Sequence, residues 1–395
     1  MLGWVLDKNK VSLNENRRYA SFPHLKLSPQ SIVAFPAAFD SFLNDRFPYR
    51  FQLTAFSNLL KWKLFGSSGN DDVLIGKDGW LFFLQAGNRD FLRHESLTDE
   101  KLRIFVSTFE NRRRWLAMHH IRYLLVFVPC KCEMYREEIP SQYRTLNPDT
   151  MQEQLVAALK KYTWVDVIYL KKDLLGEKAK FEFPLYLVTD THWNQLGAFV
   201  ACQVIARHLQ EMYPAIKPLR WQDVNLSGRR EAGGDLARML GVGNYASEET
   251  TMVKIRNQHW EYSSHPPVPN LNSETGHYLP FATDVNNPSL PKAYFVRDSF
   301  TIYLQPFLSE NFKRAYFYWN YRRTKENDFL AQEILNEHPD IVIQEMAENV
   351  LALDAFPNPP EVENALSDRF QFHDNSANLK NQKASIGTSL TSAEK

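Results

Sequence analysis

The feature that most constrains the fold is a run of six apolar residues at 123–128, which Pro129 ends. The run does not alternate between apolar and polar residues, which is typical of a strand buried on both faces of a parallel sheet. Apolar residues at helical spacing precede it at 99–119, and Thr98 is the predicted N-cap of that helix. The sequence therefore predicts an α/β protein with a layered domain and a mainly parallel central sheet.

Further helix and strand patterns alternate along the chain. Helices are predicted at 151–162, 194–213 and 326–338, and strands at 164–170, 293–296, 315–319 and 341–343. Two short apolar runs at 73–75 and 80–83 flank a turn containing Gly76 and Gly79, and they predict a β-hairpin.

The composition changes along the chain predict three parts. Residues 1–70 form an N-terminal arm with short helices that packs on the main domain. Residues 71–365 form the main domain, in which 214–290 has weak periodicity and is interpreted as an insertion over the functional edge of the sheet. Residues 366–395 are rich in Ser, Asn and Lys, and we expect a disordered tail.

Composition excludes several classes of protein. The chain has 395 residues with 46 basic and 46 acidic side chains, so its net charge of zero argues against a nucleic-acid binder. Three cysteines cannot build a disulfide framework, and no apolar run is long enough to predict a transmembrane helix. Residues 1–6 are too short for the apolar region and cleavage site of a signal peptide.

The first candidate for chemistry is the pair Asp190 and His192, which are two residues apart after an apolar segment. In an extended segment such residues point to the same side. A carboxylate can then bind one imidazole nitrogen and leave the other as a general base. The alternative is an Asp–His hydrogen bond that is only structural.

The second candidate is Ser299, which follows the predicted strand 293–296. In open α/β sheets, ligands bind at the carboxyl ends of the strands. The alternative is that Ser299 or Asp298 only caps the next helical turn. With Asp190 and His192, Ser299 makes a candidate Ser/His/Asp triad, which is recognised by roles and not by sequence order.

Several short motifs follow one another along the chain: 44–50 (NDRFPYR), 76–82 (GKDGWLF), 129–135 with Pro129, Lys131 and Tyr135, 190–193 (DTHW), 234–237 (GDLA), 298–300 (DSF) and 339–343 (PDIVI). In this order they resemble the motifs of the AlgJ/AlgX group of SGNH-hydrolase-like polysaccharide O-acetyltransferases and of the related DHHW proteins. Arg297 stands where many members have Gly, and the R-D-S order resembles the DHHW subset.

This resemblance implies an SGNH-hydrolase-like fold in which the D-x-H element precedes the serine, a permuted motif order. It implies a triad of Asp190, His192 and Ser299, an acyl-serine intermediate, and acetyl transfer to a hydroxyl of an exopolysaccharide such as alginate. It also implies a periplasmic or other extracytoplasmic location, often with a membrane anchor, and a membrane-bound O-acyltransferase as the acetyl donor. No cofactor is expected.

Five further residues are candidates for substrate binding: Arg297, Tyr303, Trp193, Lys131 and Tyr135. For Tyr303 the alternative is a core or turn position, for Trp193 packing beneath the catalytic loop, and for Lys131 and Tyr135 surface positions. Arg297 can either assist an oxyanion or pair with a carboxylate. His119 and His120 lack other ligands at metal spacing, so no metal site is predicted.

Two other functions use the same residues differently. One is a carbohydrate acetylesterase with the same triad, and the other is a non-catalytic subunit of a polysaccharide modification or secretion complex. We expect an acetyltransferase, because the resembling motifs extend over most of the chain.

Overall fold

The computed structural model describes residues 11–12, 17–18, 20–24, 28–46, 50–84, 97–143, 150–269, 278–319, 329–347 and 358–366. The chain divides into two units. The first contains the described residues of Met1–Phe83, Val188–Thr191 and Arg230–Glu248, and the second those of Leu84–Leu187, His192–Arg229 and Glu249–Lys395. Apart from Leu366, the predicted tail 366–395 lies outside the described residues.

The strands of the described residues are numbered in chain order. They are β1 (Val11–Ser12), β2 (Arg17–Arg18), β3 (Val73–Ile75), β4 (Leu81–Phe83), β5 (Arg122–Val128), β6 (Asp166–Tyr169), β7 (Val224–Ala232), β8 (Ser247–Ile255), β9 (Trp260–Tyr262), β10 (Phe281–Val285), β11 (Lys292–Arg297), β12 (Arg314–Trp319) and β13 (Ile341–Ala347).

The α-helices are numbered in the same way. They are α1 (Pro29–Arg46), α2 (Arg50–Phe65), α3 (Asp99–Met118), α4 (Lys131–Met134), α5 (Met151–Tyr162), α6 (Lys171–Lys178), α7 (Gln195–Met212), α8 (Asp235–Met239), α9 (Thr301–Leu308), α10 (Ala331–Glu337) and α11 (Pro360–Ala365).

The second unit is built on a seven-stranded sheet with the order β6-β5-β13-β11-β12-β10-β9. The five strands from β6 to β12 are parallel to their neighbours, and β10 is antiparallel to both β12 and β9. The predicted α/β fold with a mainly parallel sheet is therefore confirmed. Because the strands are parallel, the carboxyl ends of β5, β13 and β11 lie at one edge of the sheet.

Helices cover the sheet and are fixed by polar caps at their first turns. The Thr98 hydroxyl accepts from Lys101 N–H at the start of α3, and Thr150 and Glu153 form a reciprocal capping box at the start of α5. Leu155 and Leu159 of α5 are fully buried in the large core that also contains residues of β5 and β13. Burial of these apolar faces on the sheet is the main stabilising contribution to this unit.

Helix α7 begins where the sequence predicts, because the Asn194 side chain caps it by accepting from Gly197 N–H at 3.0 Å. An added Cβ at Gly197 would lie 2.3 Å from the Leu185 carbonyl oxygen, so only glycine permits this close approach. The segment that enters α7 is thereby held against residue 185, and it carries His192.

The first unit contains two helices that are longer than the short helices expected of the N-terminal arm. Helix α1 has 18 residues and α2 has 16. Trp62 of α2 packs in a small core with residues of the β3–β4 hairpin and of α8, including Leu81 and Leu236. The hairpin predicted at 73–83 is confirmed, with Leu74 opposite Phe82 in an antiparallel pair.

Most predicted elements differ from the observed ones by one or two residues at their ends, as at β5, α7, β11 and β12. The predicted helix 326–338 is observed as Ala331–Glu337, and residues 320–328 lie outside the described residues. Strands β9 and β10 fall within the range interpreted as an insertion, yet they complete the central sheet. Among the described helices, none has both the length and the hydropathy that a bilayer crossing requires.

Candidate active site

Ser299 and His192 are brought together although 107 positions separate them in the sequence. His192 Nε2 and Ser299 Oγ are hydrogen-bonded at 2.7 Å, and both residues are only partly buried. Ser299 is two residues beyond the carboxyl end of β11, and His192 is three residues before α7. With its proton on Nδ1, the imidazole accepts the serine proton at Nε2, which is the geometry of a nucleophile with its general base.

The residues that follow each member of this pair hold the two segments together. Trp193 is fully buried, and its indole N–H donates to the Phe300 carbonyl oxygen at 3.0 Å. Its ring also contacts the Phe300 ring edge-to-face, with 5.3 Å between the centroids, and the His192 ring lies 4.8 Å from Phe300. One neighbour of the base therefore binds one neighbour of the nucleophile, which fixes the distance between them.

The Asp298 side chain shapes the turn that presents Ser299. Its Oδ1 accepts from Phe300 N–H at 2.9 Å, and its Oδ2 accepts from Ala347 N–H, at the end of β13, at 2.8 Å. Asp298 is buried, and burial raises the pKa of its carboxyl against the opposing effect of these N–H donors. Asp298 thus binds the backbone of the turn at 298–300, whereas the helix that follows has no side-chain cap.

A second buried carboxyl, that of Glu345 on β13, reaches the same turn from the adjacent strand. Its Oε2 accepts from Asp298 N–H at 3.1 Å and from the Thr301 hydroxyl at 2.8 Å. Burial and the neighbouring Asp298 carboxyl raise the pKa of Glu345 well above its usual range. Ser299 is thus flanked on both sides by residues bonded to Asp298 or Glu345.

Arg297 is the last residue of β11 and is 1% exposed. Its guanidinium carbon lies 5.1 Å from the Phe281 ring centroid and 4.9 Å from that of Trp319. Desolvation lowers its pKa to about 10, and the charges of Glu345 and Asp298 oppose that shift. Arg297 is therefore almost completely removed from solvent and lies against two aromatic rings, and a role in sugar binding stays a prediction.

Asp190 belongs to the first unit and is 8% exposed. Its Oδ2 accepts from Asp235 N–H at 2.8 Å and lies 4.0 Å from the Arg238 guanidinium. An added Cβ at Gly234 would lie 2.4 Å from Asp190 Cβ, which explains glycine at that position. The pairing of Asp190 with the His192 imidazole remains a prediction.

The GDLA element holds the residues on either side of Asp190. Gly234 N–H donates to the Thr189 hydroxyl at 2.9 Å, and the Asp235 carboxylate accepts from Thr191 N–H and from the Thr191 hydroxyl, each at 2.8 Å. The Glu248 carboxylate accepts from the Thr189 N–H at 3.1 Å and from the Thr189 hydroxyl. Two carboxylates thus fix the backbone around Asp190.

The remaining predicted substrate-binding residues differ in exposure. Lys131, at the start of α4, is 4% exposed and Tyr135 is also 4% exposed, so neither has the surface position that was the alternative. Tyr135 Oη accepts from Leu185 N–H at 2.7 Å, and burial raises the pKa of Tyr135 to about 12. Tyr303 lies in the first turn of α9, four positions after Ser299, and its side chain is half-buried.

Two carboxylates of this region, those of Glu345 and Glu248, were not candidates from the sequence. Trp193 was a candidate for substrate binding, and its burial and its hydrogen bond to the Phe300 carbonyl agree with the alternative of packing beneath the catalytic loop. The strand 341–347 is apolar except for Gln344 and Glu345, and a carboxylate inside such a strand is a signal that identifies Glu345. No comparable signal marks Glu248, because it lies in a strand with alternating exposure.

The four carboxylates around the two candidate residues all accept backbone N–H donors. The carboxylates of Asp190 and Asp235 in the first unit accept backbone N–H donors, and those of Asp298 and Glu345 in the second do the same. The chemistry that the second unit supports is nucleophilic attack by Ser299 with His192 as the base.

Residues 73–267 match the family model described as "SGNH hydrolase-like domain, acetyltransferase AlgX". The matched region is just under half of the chain, and over it the chain is similar to this SGNH hydrolase-like family. The predicted resemblance to AlgJ/AlgX-like proteins is confirmed, and the curated relatives agree with it. A "Probable alginate O-acetylase AlgJ" of Azotobacter vinelandii is 29% identical over 184 residues, which are 46% of this chain and 43% of that protein.

Two solved structures share the fold of this chain. PatB1 of Bacillus cereus superposes with a TM-score of 0.54 at 18% identity, over 73% of this chain and 99% of PatB1. A DHHW family protein of Eubacterium siraeum gives a TM-score of 0.51 at 13% identity, over 74% of this chain and 98% of that one. At these identities the likeness concerns the fold alone.

Proposed function

We propose that this protein is a polysaccharide O-acetyltransferase that carries the acetyl group on Ser299. The observation that carries the proposal is the 2.7 Å hydrogen bond between His192 Nε2 and Ser299 Oγ at the carboxyl edge of a parallel sheet. The AlgX-type domain match over residues 73–267 supports acetyl transfer as the reaction. The chain matches less than half of the length of the Azotobacter relative. The activity of that relative is therefore only proposed for this chain.

In the first half-reaction, His192 removes the proton from the Ser299 hydroxyl as Oγ attacks the carbonyl carbon of an acetyl donor. The tetrahedral intermediate then collapses, the bond to the leaving group breaks, and His192 returns the proton to that group. The product is an O-acetyl-serine. In the second half-reaction, His192 takes the proton of a sugar hydroxyl, whose oxygen attacks the acyl-serine, and the proton returns to Ser299 Oγ as the sugar ester leaves.

Asp190 is proposed to orient the imidazole and to stabilise the imidazolium that forms in each half-reaction. Its short distance from His192 in sequence and the contacts that fix it through Gly234 and Asp235 support this role. Replacing its carboxylate with an amide would favour the wrong imidazole tautomer, at a cost of roughly 10²–10⁴ in rate.

The acceptor is proposed to be an exopolysaccharide, of which alginate is the named example among the relatives. The acetyl donor is proposed to be a membrane-bound O-acyltransferase. With such a donor, the reaction is proposed to occur outside the cytoplasm, in the periplasm or at the membrane.

The test uses p-nitrophenyl acetate as donor and mannuronate oligosaccharides as acceptor, with mass spectrometry of the sugars. Wild-type protein should add acetyl groups to the oligosaccharides, and Ser299→Ala should lower the rate by about 10³-fold or more without unfolding. Asp190→Asn should show an intermediate loss. Ser264→Ala is the matched control, because Ser264 is an exposed serine that is also hydrogen-bonded to a histidine, His265, at 3.0 Å.

The same assay separates the other two functions. Acetate release that is unaffected by the acceptor, with no acetylated sugar, would instead identify an esterase. Failure of a sulfonyl fluoride to label Ser299, together with intact oligosaccharide binding, would identify a non-catalytic subunit. Equal acetyl transfer by Ser299→Ala and wild type would remove the catalytic role of this serine.

A further inference from the structure

Two fully buried carboxyl groups lie side by side behind the candidate nucleophile. Asp298 and Glu345 are 3% and 1% exposed, and they come from adjacent parallel strands. Together they accept four hydrogen bonds from groups around Ser299: two at Asp298, from Phe300 N–H and Ala347 N–H, and two at Glu345 Oε2. The backbone on both sides of Ser299 is thus bound to this pair.

Both carboxyl groups are removed from water and lie on the same turn, because Glu345 Oε2 accepts from the Asp298 N–H at 3.1 Å. Two negative charges in such a site would be costly, so the pair is expected to share a proton. The distribution of donors identifies the protonated member. Both Asp298 oxygens accept backbone N–H groups, whereas no donor reaches Glu345 Oε1 among the described residues.

We propose that Glu345 keeps its proton at neutral pH, donates it in a hydrogen bond to the Asp298 carboxylate, and thereby acts as a positioning residue for Ser299. Its contribution is to hold the turn 298–301 so that the serine hydroxyl meets His192. The kinetic test of this proposal rests on the proposed acyl-serine function. The protonation of Glu345 can be measured without any enzymatic activity.

The proposal predicts an asymmetry between amide substitutions in the pair. In Glu345→Gln the amide oxygen still accepts from Asp298 N–H and from the Thr301 hydroxyl, and the amide nitrogen donates in place of the proton. In Asp298→Asn an NH₂ group must face either Phe300 N–H or Ala347 N–H, so one accepting contact is lost. Glu345→Ala removes all contacts of the side chain.

The experiment measures the rate of Ser299 labelling by phenylmethylsulfonyl fluoride and kcat/KM for p-nitrophenyl acetate. Glu345→Ala and Asp298→Asn should lower both by about 10- to 100-fold, since displacing a reacting group by about 1 Å has that effect. Glu345→Gln should stay within about threefold of wild type. The control is Gln344→Ala, which removes a buried side chain from the opposite face of β13, where Gln344 Oε1 accepts from Arg112 at 3.0 Å.

Infrared difference spectra of wild type and Glu345→Gln test the proton directly. A carbonyl band of a protonated carboxylic acid at neutral pH, lost in Glu345→Gln, supports the proposal. Absence of that band, or a loss of labelling in Glu345→Gln as large as in Glu345→Ala, overturns it. If wild-type protein neither transfers acetyl nor reacts with the sulfonyl fluoride, the proposed function fails and the infrared result still decides the protonation of Glu345.

Discussion

Trp193→Phe tests whether the residues next to the base and the nucleophile hold the two together. The substitution keeps an aromatic ring against Phe300 but removes the indole N–H that donates to the Phe300 carbonyl oxygen at 3.0 Å. A neutral hydrogen bond contributes about 0.5–1.5 kcal/mol to stability. The smaller ring leaves unfilled volume at a fully buried position, which adds about 1–2 kcal/mol. The expected loss in unfolding free energy is therefore about 1.5–3.5 kcal/mol.

The loss of activity in Trp193→Phe is expected to be larger than its loss of stability alone would cause. Phe300 is bonded through its carbonyl to Trp193 and through its N–H to Asp298, so releasing one of the two contacts lets the serine turn move relative to His192. A shift of about 1 Å corresponds to a 10- to 100-fold loss in rate. The assay is kcat/KM for p-nitrophenyl acetate, measured at a temperature where urea unfolding shows the variant to be folded.

Trp115→Phe is the matched control for this prediction. Trp115 is a 2% exposed tryptophan of α3, whose ring meets Phe329 edge-to-face at 5.9 Å. It should lose a similar amount of stability and keep kcat/KM within about twofold, since α3 does not contact the serine turn through this ring. The reasoning is refuted if Trp193→Phe keeps wild-type kcat/KM, or if both variants lose activity in proportion to their stability.

Two further predictions concern other parts of the chain. Gly234→Ala should destabilise the protein by about 1–3 kcal/mol, because its Cβ would lie 2.4 Å from Asp190 Cβ, whereas Gly228→Ala, with open space at that position, should be nearly neutral in thermal unfolding. The hydrogen bond to Asp166, 2.7 Å from His208 Nε2, raises the pKa of His208, so wild type should exceed His208→Gln in stability by up to about 1 kcal/mol below pH 6.5. That excess should disappear as the pH rises through the raised pKa of the folded state, and a constant difference in Tm between about pH 5 and pH 9 would contradict it.

The proposed chemistry places different demands on the residues around Ser299. The nucleophile and base must be accessible, and Ser299 and His192 are partly exposed. The residues that orient them must be rigid, and Trp193, Asp298 and Glu345 are almost completely buried. Burial of the supporting residues restricts the movement of the turn and keeps competing water away from its hydrogen bonds.

The sequence by itself determined the layered α/β fold, because periodicity is a local property that survives without knowledge of contacts. The six-residue run 123–128 predicts β5, and the helical spacing at 151–162 predicts α5 with the observed ends. The sequence also singles out His192 and Ser299, because few side chains can act as a base or a nucleophile. The structure brings the two within hydrogen-bond distance, and their catalytic roles stay predictions.

The tertiary structure decided which side chains support that pair. Glu345 meets Asp298 only because β13 and β11 are neighbours in the sheet, and Trp193 meets Phe300 only because α7 packs beside α9. Such contacts join residues roughly 50 and 107 positions apart. Periodicity cannot reveal them, because strand order and helix packing are set by burial of the whole core and not by the residues of any one segment.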